Sequence, residues 1–258
     1  MEPVRIKLNP IEMTFIARLL GAKSLMFIGD PFYGWLSDEV KEAWQRARES
    51  LIEKGMAREI VTTGQTLLDV LPASAVAVCA APKETFLLLR RDDGGLEELW
   101  VAHSTAGIGV IHRLPRDPLE ELDIAVFAGS REVREAVKSM VKIEGSKDEE
   151  RKTTSIKPED FWRFLLAKAG KKEEDRGGAG NGSETEMGQL VGERFNLSLL
   201  LRLDRSKREH ALQGIGFLMS GGVIWSVKPV LEGDSPVFEV TSVDEEVAER
   251  NLDALLSI

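Results

Sequence analysis

A single cysteine, Cys79, in 258 residues excludes an intramolecular disulfide, and its place inside an apolar run marks it as a small buried hydrophobe. There are three histidines, His103, His112 and His210. His103 and His112 fall on consecutive expected strands, with Glu97 and Glu98 close in sequence. A metal site needs three or four converging ligands, however, and strand alternation can place these two on different faces. Surface or turn positions are therefore expected for the histidines. No stretch reaches the roughly 18 apolar residues of a membrane span, and no N-terminal apolar core with a cleavage site is present. A cytoplasmic address and no membrane partner are expected. Positive charge is in deficit, 34 Lys and Arg against 43 Asp and Glu for a formal net charge of -9, which argues against a nonspecific nucleic-acid surface.

Cofactor loops are missing as well. The run GGAGNG (177–182) has neither a Lys-Ser/Thr pair entering a helix nor a preceding strand in a βαβ unit, so it reads as linker. Gly107-Ile108-Gly109 and Gly214-Ile215-Gly216 open no helical pattern and read as strand or turn glycines. Ser104 follows His103 directly, and chain neighbours on a strand point apart, so the two are not a nucleophile and its base. No catalytic, cofactor-binding or metal site is expected, and the chain reads as a non-enzyme.

What is present is a pattern of elements. Hydrophobic residues make up 43% and charged residues 30%, a globular composition. Four strand-like runs, 75–80, 85–91, 97–103 and 109–113, precede a helix opened by Asp117-Pro118 over 117–127. A second set, 196–203, 210–219, 222–227 and 237–240, precedes a closing helix capped by Ser242 or Asp244 with a stripe of Val243, Val247, Leu252, Leu255 and Leu256. This predicts an α+β fold of two pseudo-twofold related halves, residues 1–128 and 129–258, each an antiparallel sheet of about four strands packed with helices. A coincidence of two common α+β units is the alternative.

In the first half, VRIKL is an extended start, and Asn9-Pro10 opens a helix with Ile11, Phe15, Ile16, Leu19 and Leu20 on one face. The stretch 22–36 is a packed irregular connection. Ser37 opens the clearest helix, which buries Val40, Ala43, Trp44, Ala47, Leu51 and Ile52 and stops at Gly55. A short helix is expected over 64–72. In the second half, Ser130 opens a helix through residue 143, 145–155 is a solvated junction, and Pro158 starts a helix bearing Phe161, Trp162, Leu165 and Leu166. Residues 171–186 form a mobile loop unable to offset their ordering entropy. Core packing accounts for Trp35, Trp44, Trp100, Trp162 and Trp225.

The stretches FIARLLGAKS (15–24), SLIEKGMA (50–57), GQTLLDVLPASAVAVCAAPKETFLLLRRD (64–92) and GGVIWSVKPV (221–230), with the final amphipathic helix, resemble the EspG-like chaperones of type VII (ESX) secretion. The resemblance implies two pseudo-twofold halves and a cytosolic role in binding helical secreted proteins without chemistry. It departs from the family in its short 91–96 turn, where members that hold substrates carry extended hairpin loops. The alternative is a winged-helix transcriptional regulator built on residues 10–72 with a sensor domain. In that reading Arg46, Arg48, Lys54 and Arg58 would face DNA, but Glu42, Glu49, Glu53 and Glu59 offset them.

Overall fold

The computed structural model describes residues 2–92, 97–145, 152–168, 195–206 and 211–257. Among them are six α-helices and twelve strands. Ten strands form one sheet in the order β1-β7-β6-β5-β4-β9-β10-β11-β12-β8, and β2 pairs with β3 in a separate hairpin. The strands are β1 Val4–Leu8, β2 Ala57–Ile60, β3 Gln65–Leu68, β4 Glu84–Arg91, β5 Glu97–Ser104, β6 Gly109–Arg113, β7 Leu122–Phe127, β8 Thr153–Ile156, β9 Asn196–Asp204, β10 Ala211–Ser220, β11 Val223–Glu232 and β12 Ser235–Val243. The helices are α1 Pro10–Leu19, α2 Ser37–Glu53, α3 Val70–Ala80, α4 Ser130–Met140, α5 Pro158–Lys168 and α6 Glu245–Ser257. None is long and apolar enough to cross a membrane.

Two compact units divide the chain. The first comprises Met1–Phe86, Trp100–Val137 and Leu203–Ala211, and the second Leu87–Leu99, Lys138–Arg202 and Leu212–Ile258. In the first unit, Leu8, Met13, Ile16, Leu51, Val76 and Ile124 anchor a core in which α1, α2 and α3 pack against strands of the sheet. Asn9 caps α1 reciprocally: the Glu12 amide donates to Asn9 Oδ1 and the Asn9 amide donates to Glu12 Oε2, both at 2.8 Å. The same buried carboxylate accepts from Ser50 Oγ at 2.6 Å and from Lys54 Nζ at 2.9 Å, which ties α1 to α2. An Asn9→Ala variant is expected to lose about 1 kcal/mol, read as a fall in Tm of about 2–4 °C.

Several expectations are corrected. Residues 75–80 are helical, the end of α3, because Pro72, Ala75, Val76 and Cys79 are buried at i, i+3, i+4 and i+7. A short apolar run alone does not distinguish strand from helix. Asp117 caps only one turn, its Oδ1 accepting from the Leu119 amide at 2.7 Å. Leu122–Phe127 is then strand β7, held between β1 and β6, so pairing on both edges overrides the helical start signal. Of the short helix expected over 64–72, Gln65–Leu68 is instead strand β3, which closes a hairpin with β2 across Gly64 at φ 67°, and only the end from Val70 is helical, as the start of α3. The end of the expected solvated junction, residues 153–155, lies in strand β8, Thr153–Ile156, which pairs with β12. Leu19, Leu20 and Ile52 are exposed, and Val243 lies in β12 with Asp244 Oδ1 capping α6 through the Val247 amide at 2.8 Å. The loop expected at 171–186, like the 177–182 glycines and His210, lies outside the described residues.

With α3 and β7 reassigned, four consecutive strands precede a helix in both parts of the chain: β4 to β7 then α4, and β9 to β12 then α6. An earlier strand pairs antiparallel with the last of each set, β1 with β7 and β8 with β12.

Candidate functional site

In the second unit α5 packs over one stretch of the sheet, and among the described residues the adjoining stretch at Leu201 is left exposed. Alternation puts Leu197, Leu199 and Leu201 of β9 on the face toward α5. Leu197 is buried in the core with Phe161, Leu218 and Trp225, Leu199 is half-buried, and Leu201 is 41% exposed. Phe161 and Trp162 of α5 close on Phe238 with ring centroids 4.9 and 6.5 Å away. Beyond them lies a cleft of about 240 Å³ lined only by apolar residues, among them Leu87, Leu89, Leu201, Trp162 and Pro229.

Gly214 and Gly216 of β10 shape its floor. A methyl group at Gly214 would sit 2.7 Å from Leu201 Cδ2, and one at Gly216 would sit 2.5 Å from Leu199 Cδ2. These glycines let the β9 leucines lie across the neighbouring strand. Gly216 faces Val227 in the β10–β11 hairpin, so alternation carries the same face outward to Leu212 on one strand and Leu231 on the other. Leu212 is 68%, Leu231 75% and Trp162 43% exposed. The cleft is smaller than the roughly 300–1,000 Å³ of small-molecule pockets and has no titratable side chain. It suits apolar side chains of a partner and offers no acid, base or nucleophile.

His103 and His112 are not at the surface, which corrects that expectation for these two. Both are buried in the first unit and share one face, since His112 is opposite Val101 and His103 opposite Val110. Their rings lie 6.0 Å apart, and Cys79 of α3 joins them, with one ligand atom from each residue lying within 4.8 Å of the others. Burial first, then the neighbouring His112, lowers the His103 pKa to about 3, the Met26 backbone working weakly against this. Burial also lowers His112, against its bond to the Arg113 backbone, and pushes the Cys79 thiol up to about 12.

Glu97 and Glu98 take no part in that cluster; Glu98 pairs with Arg90 at 3.8 Å. Ser104 Oγ donates to Glu84 Oε2 at 3.4 Å. Gly109 opens β6, where an added methyl would collide with Val133. Arg48 pairs with Glu59 at 2.6 Å, Lys54 with Glu12 and Glu121 at 2.9 and 3.1 Å, and Arg46 with Glu42 at 4.0 Å. Of the five tryptophans only Trp225 is buried, so core packing does not account for Trp162. Two features escaped sequence reasoning: the open face beside α5 and the convergence of Cys79 with two histidines. The strand glycines 214 and 216 were the available signal for the first.

No family model and no curated protein match this sequence. Among solved structures the chain is similar to the type VII secretion system chaperone EspG5 of Mycobacterium tuberculosis, solved in complex with the PE25–PPE41 dimer. The likeness covers 97% of this chain and 95% of that one, with a TM-score of 0.53 and 9% identity. At that identity it establishes a shared fold, a mixed α/β architecture around a large antiparallel sheet.

Proposed function

We propose that this protein is a non-enzymatic, cytoplasmic, chaperone-like module that binds a helical protein client, of the kind exported by type VII secretion. The observation that carries this reading is the open apolar face of the second unit, where Trp162 and Leu201 line a cleft of side-chain size and the exposed Leu212 and Leu231 extend the same sheet face. An amphipathic helix presents apolar side chains at i, i+3, i+4 and i+7, a spacing that matches such a face. The fold shared with a chaperone whose structure was solved in complex with a protein dimer supports a protein partner. Two pseudo-twofold related halves are part of the same reading, supported by the repeated order of four strands and a helix.

Binding of a purified helical secretion substrate tests the proposal. A Leu201→Asp, Leu231→Asp double variant is expected to weaken binding at least about tenfold, since each buried leucine contributes roughly 1.5–3 kcal/mol. Both leucines are exposed, so the melting temperature should stay nearly unchanged. Undiminished client binding by that variant would refute this surface. The winged-helix alternative has a hairpin, β2–β3, after α2 in its favour. Its cations Arg46, Arg48 and Lys54 are already paired with carboxylates. Duplex binding that weakens steeply with salt would favour it over the chaperone reading.

A further inference from the structure

We propose that Cys79, His103 and His112 form a buried site for a soft monovalent metal ion, Cu(I), which no part of the client-binding reading requires. The three residues come from α3, β5 and β6, and their donor atoms lie within 4.8 Å of one another. Metal–nitrogen and metal–sulfur bonds of roughly 2.0–2.3 Å put three donors about 3.5–4 Å apart, so closure needs shifts of no more than about 1 Å.

Hydrogen bonds at Nδ1 leave each imidazole able to offer Nε2 as a ligand. His112 Nδ1 donates to the Arg113 carbonyl at 2.7 Å, which leaves Nε2 with a lone pair. Thr85 Oγ1 donates to the Met26 thioether at 3.4 Å and lies 3.0 Å from His103 Nδ1. In the tautomer that keeps this proton on the thioether, the hydroxyl accepts from His103 Nδ1 and His103 Nε2 carries a lone pair. Both Nε2 atoms are buried and have no hydrogen-bond partner. Outer hydrogen bonds that set the tautomer of a ligating histidine are the usual support of a metal site.

Charge and coordination number select the ion. Binding Cu(I) replaces the Cys79 thiol proton, which leaves to solvent, and the resulting thiolate–Cu(I) unit is neutral. Zn(II) on the same donors would leave a net positive charge in a buried site, and it prefers a fourth ligand. Glu84, the buried carboxylate next to Thr85, is paired with Arg134 at 3.1 Å. Thiolate, imidazole and a nearby thioether are donors that suit Cu(I). Entry runs past Phe27, whose ring stacks on His103 at 6.3 Å, is 41% exposed, and sits at φ 62°, a strained conformation for a bulky side chain. Its neighbour Met26 donates its amide to the Cys79 carbonyl at 3.0 Å, so displacing this segment opens the site.

The test is an anaerobic titration of the reduced, metal-free full chain with Cu(I) held by bicinchoninate, whose absorbance reports the ion withdrawn. One Cu(I) per chain is expected. Cys79→Ser should bind at least 100-fold more weakly, and Thr85→Val, which removes only an outer partner, roughly 10–100-fold more weakly. Circular dichroism melts establish that each variant is folded, and the wild-type stoichiometry needs no variant at all. Failure of the wild type to withdraw Cu(I), unchanged affinity in folded Cys79→Ser, or one tightly held Zn(II) with no Cu(I) uptake would each overturn the proposal.

Discussion

A chain that ends at Asp244 is expected to lose its cooperative melt and to be recovered as insoluble or molten material. Helix α6 buries Ala248, Leu252, Leu255 and Leu256 in the second unit. Three leucines at roughly 1.5–3 kcal/mol each amount to about 6 kcal/mol, comparable with the whole 5–15 kcal/mol by which a domain is stable. The helix also satisfies polar groups. Arg202, a fully buried arginine, donates from Nη1 to the Leu255 carbonyl at 2.9 Å. Lys228 Nζ donates to Asn251 Oδ1 at 2.9 Å, and Lys138 pairs with Asp253 at 2.5 Å. Truncation would thus expose an apolar stripe and remove a carbonyl from a buried guanidinium, two effects of the same sign. Thermal unfolding followed by near-ultraviolet circular dichroism reads the outcome. A soluble truncated monomer with an unchanged sharp transition would show that α6 is an accessory.

Stability of the metal-free chain is expected to fall between pH 6.5 and about 3. His103 and His112 both titrate lower in the folded protein than in the unfolded chain. Above pH 6.5 both are neutral in either state and contribute nothing to the pH dependence. Below it the unfolded chain takes up protons that the folded protein refuses, so unfolding gains in favour until the folded His103 titrates at about 3. Each such group costs about 1.4 kcal/mol per pH unit, so His103 alone removes about 2 kcal/mol by pH 5. Glu120 and Glu121 have lowered pKa values, the first mainly from the Arg116 amide and the second mainly from Lys54. Their contribution is present above the unfolded value of 4.5 and is lost as the pH falls below it, so it does not enter a comparison of pH 7.5 with pH 5.0. Denaturant titrations at pH 7.5 and 5.0 measure the slope, and a His103→Gln variant should flatten it. Equal stability of the wild type at the two values would contradict the burial of both imidazoles.

Much of the fold could be read before any coordinates. The strands β4 to β6 and β9 to β12 are bounded by Gly, Asp and Asn clusters and alternate in side-chain character, and both signals are local. The Asn9-Pro10 start and Glu12 three residues past the cap form a capping box that the helix keeps. The misassigned segments share a physical cause. Residues 75–80 are apolar on every side, the exposed Ala77 included, which erases the periodicity that would have marked a helix. Residues 122–127 follow a strong helix start, and Thr153–Ile156 follow a charged run; both become strands because open sheet edges beside them offer hydrogen-bond partners distant in sequence.

Composition and local pattern by themselves determined that this chain makes a mixed α/β fold without an intramolecular disulfide, with the strands β4 to β6 and the four strands β9 to β12 closed by α6. They did so because caps, turns and alternation act over a few residues. Both candidate sites were decided only by the tertiary structure. The apolar face is open at Leu201, 41% exposed, because coverage depends on where a helix docks on the sheet. The cysteine and two histidines, at 79, 103 and 112, meet because the β5–β6 register puts His103 and His112 on one side and α3 packs across it. A one-residue slip in that register would turn one imidazole to the opposite face.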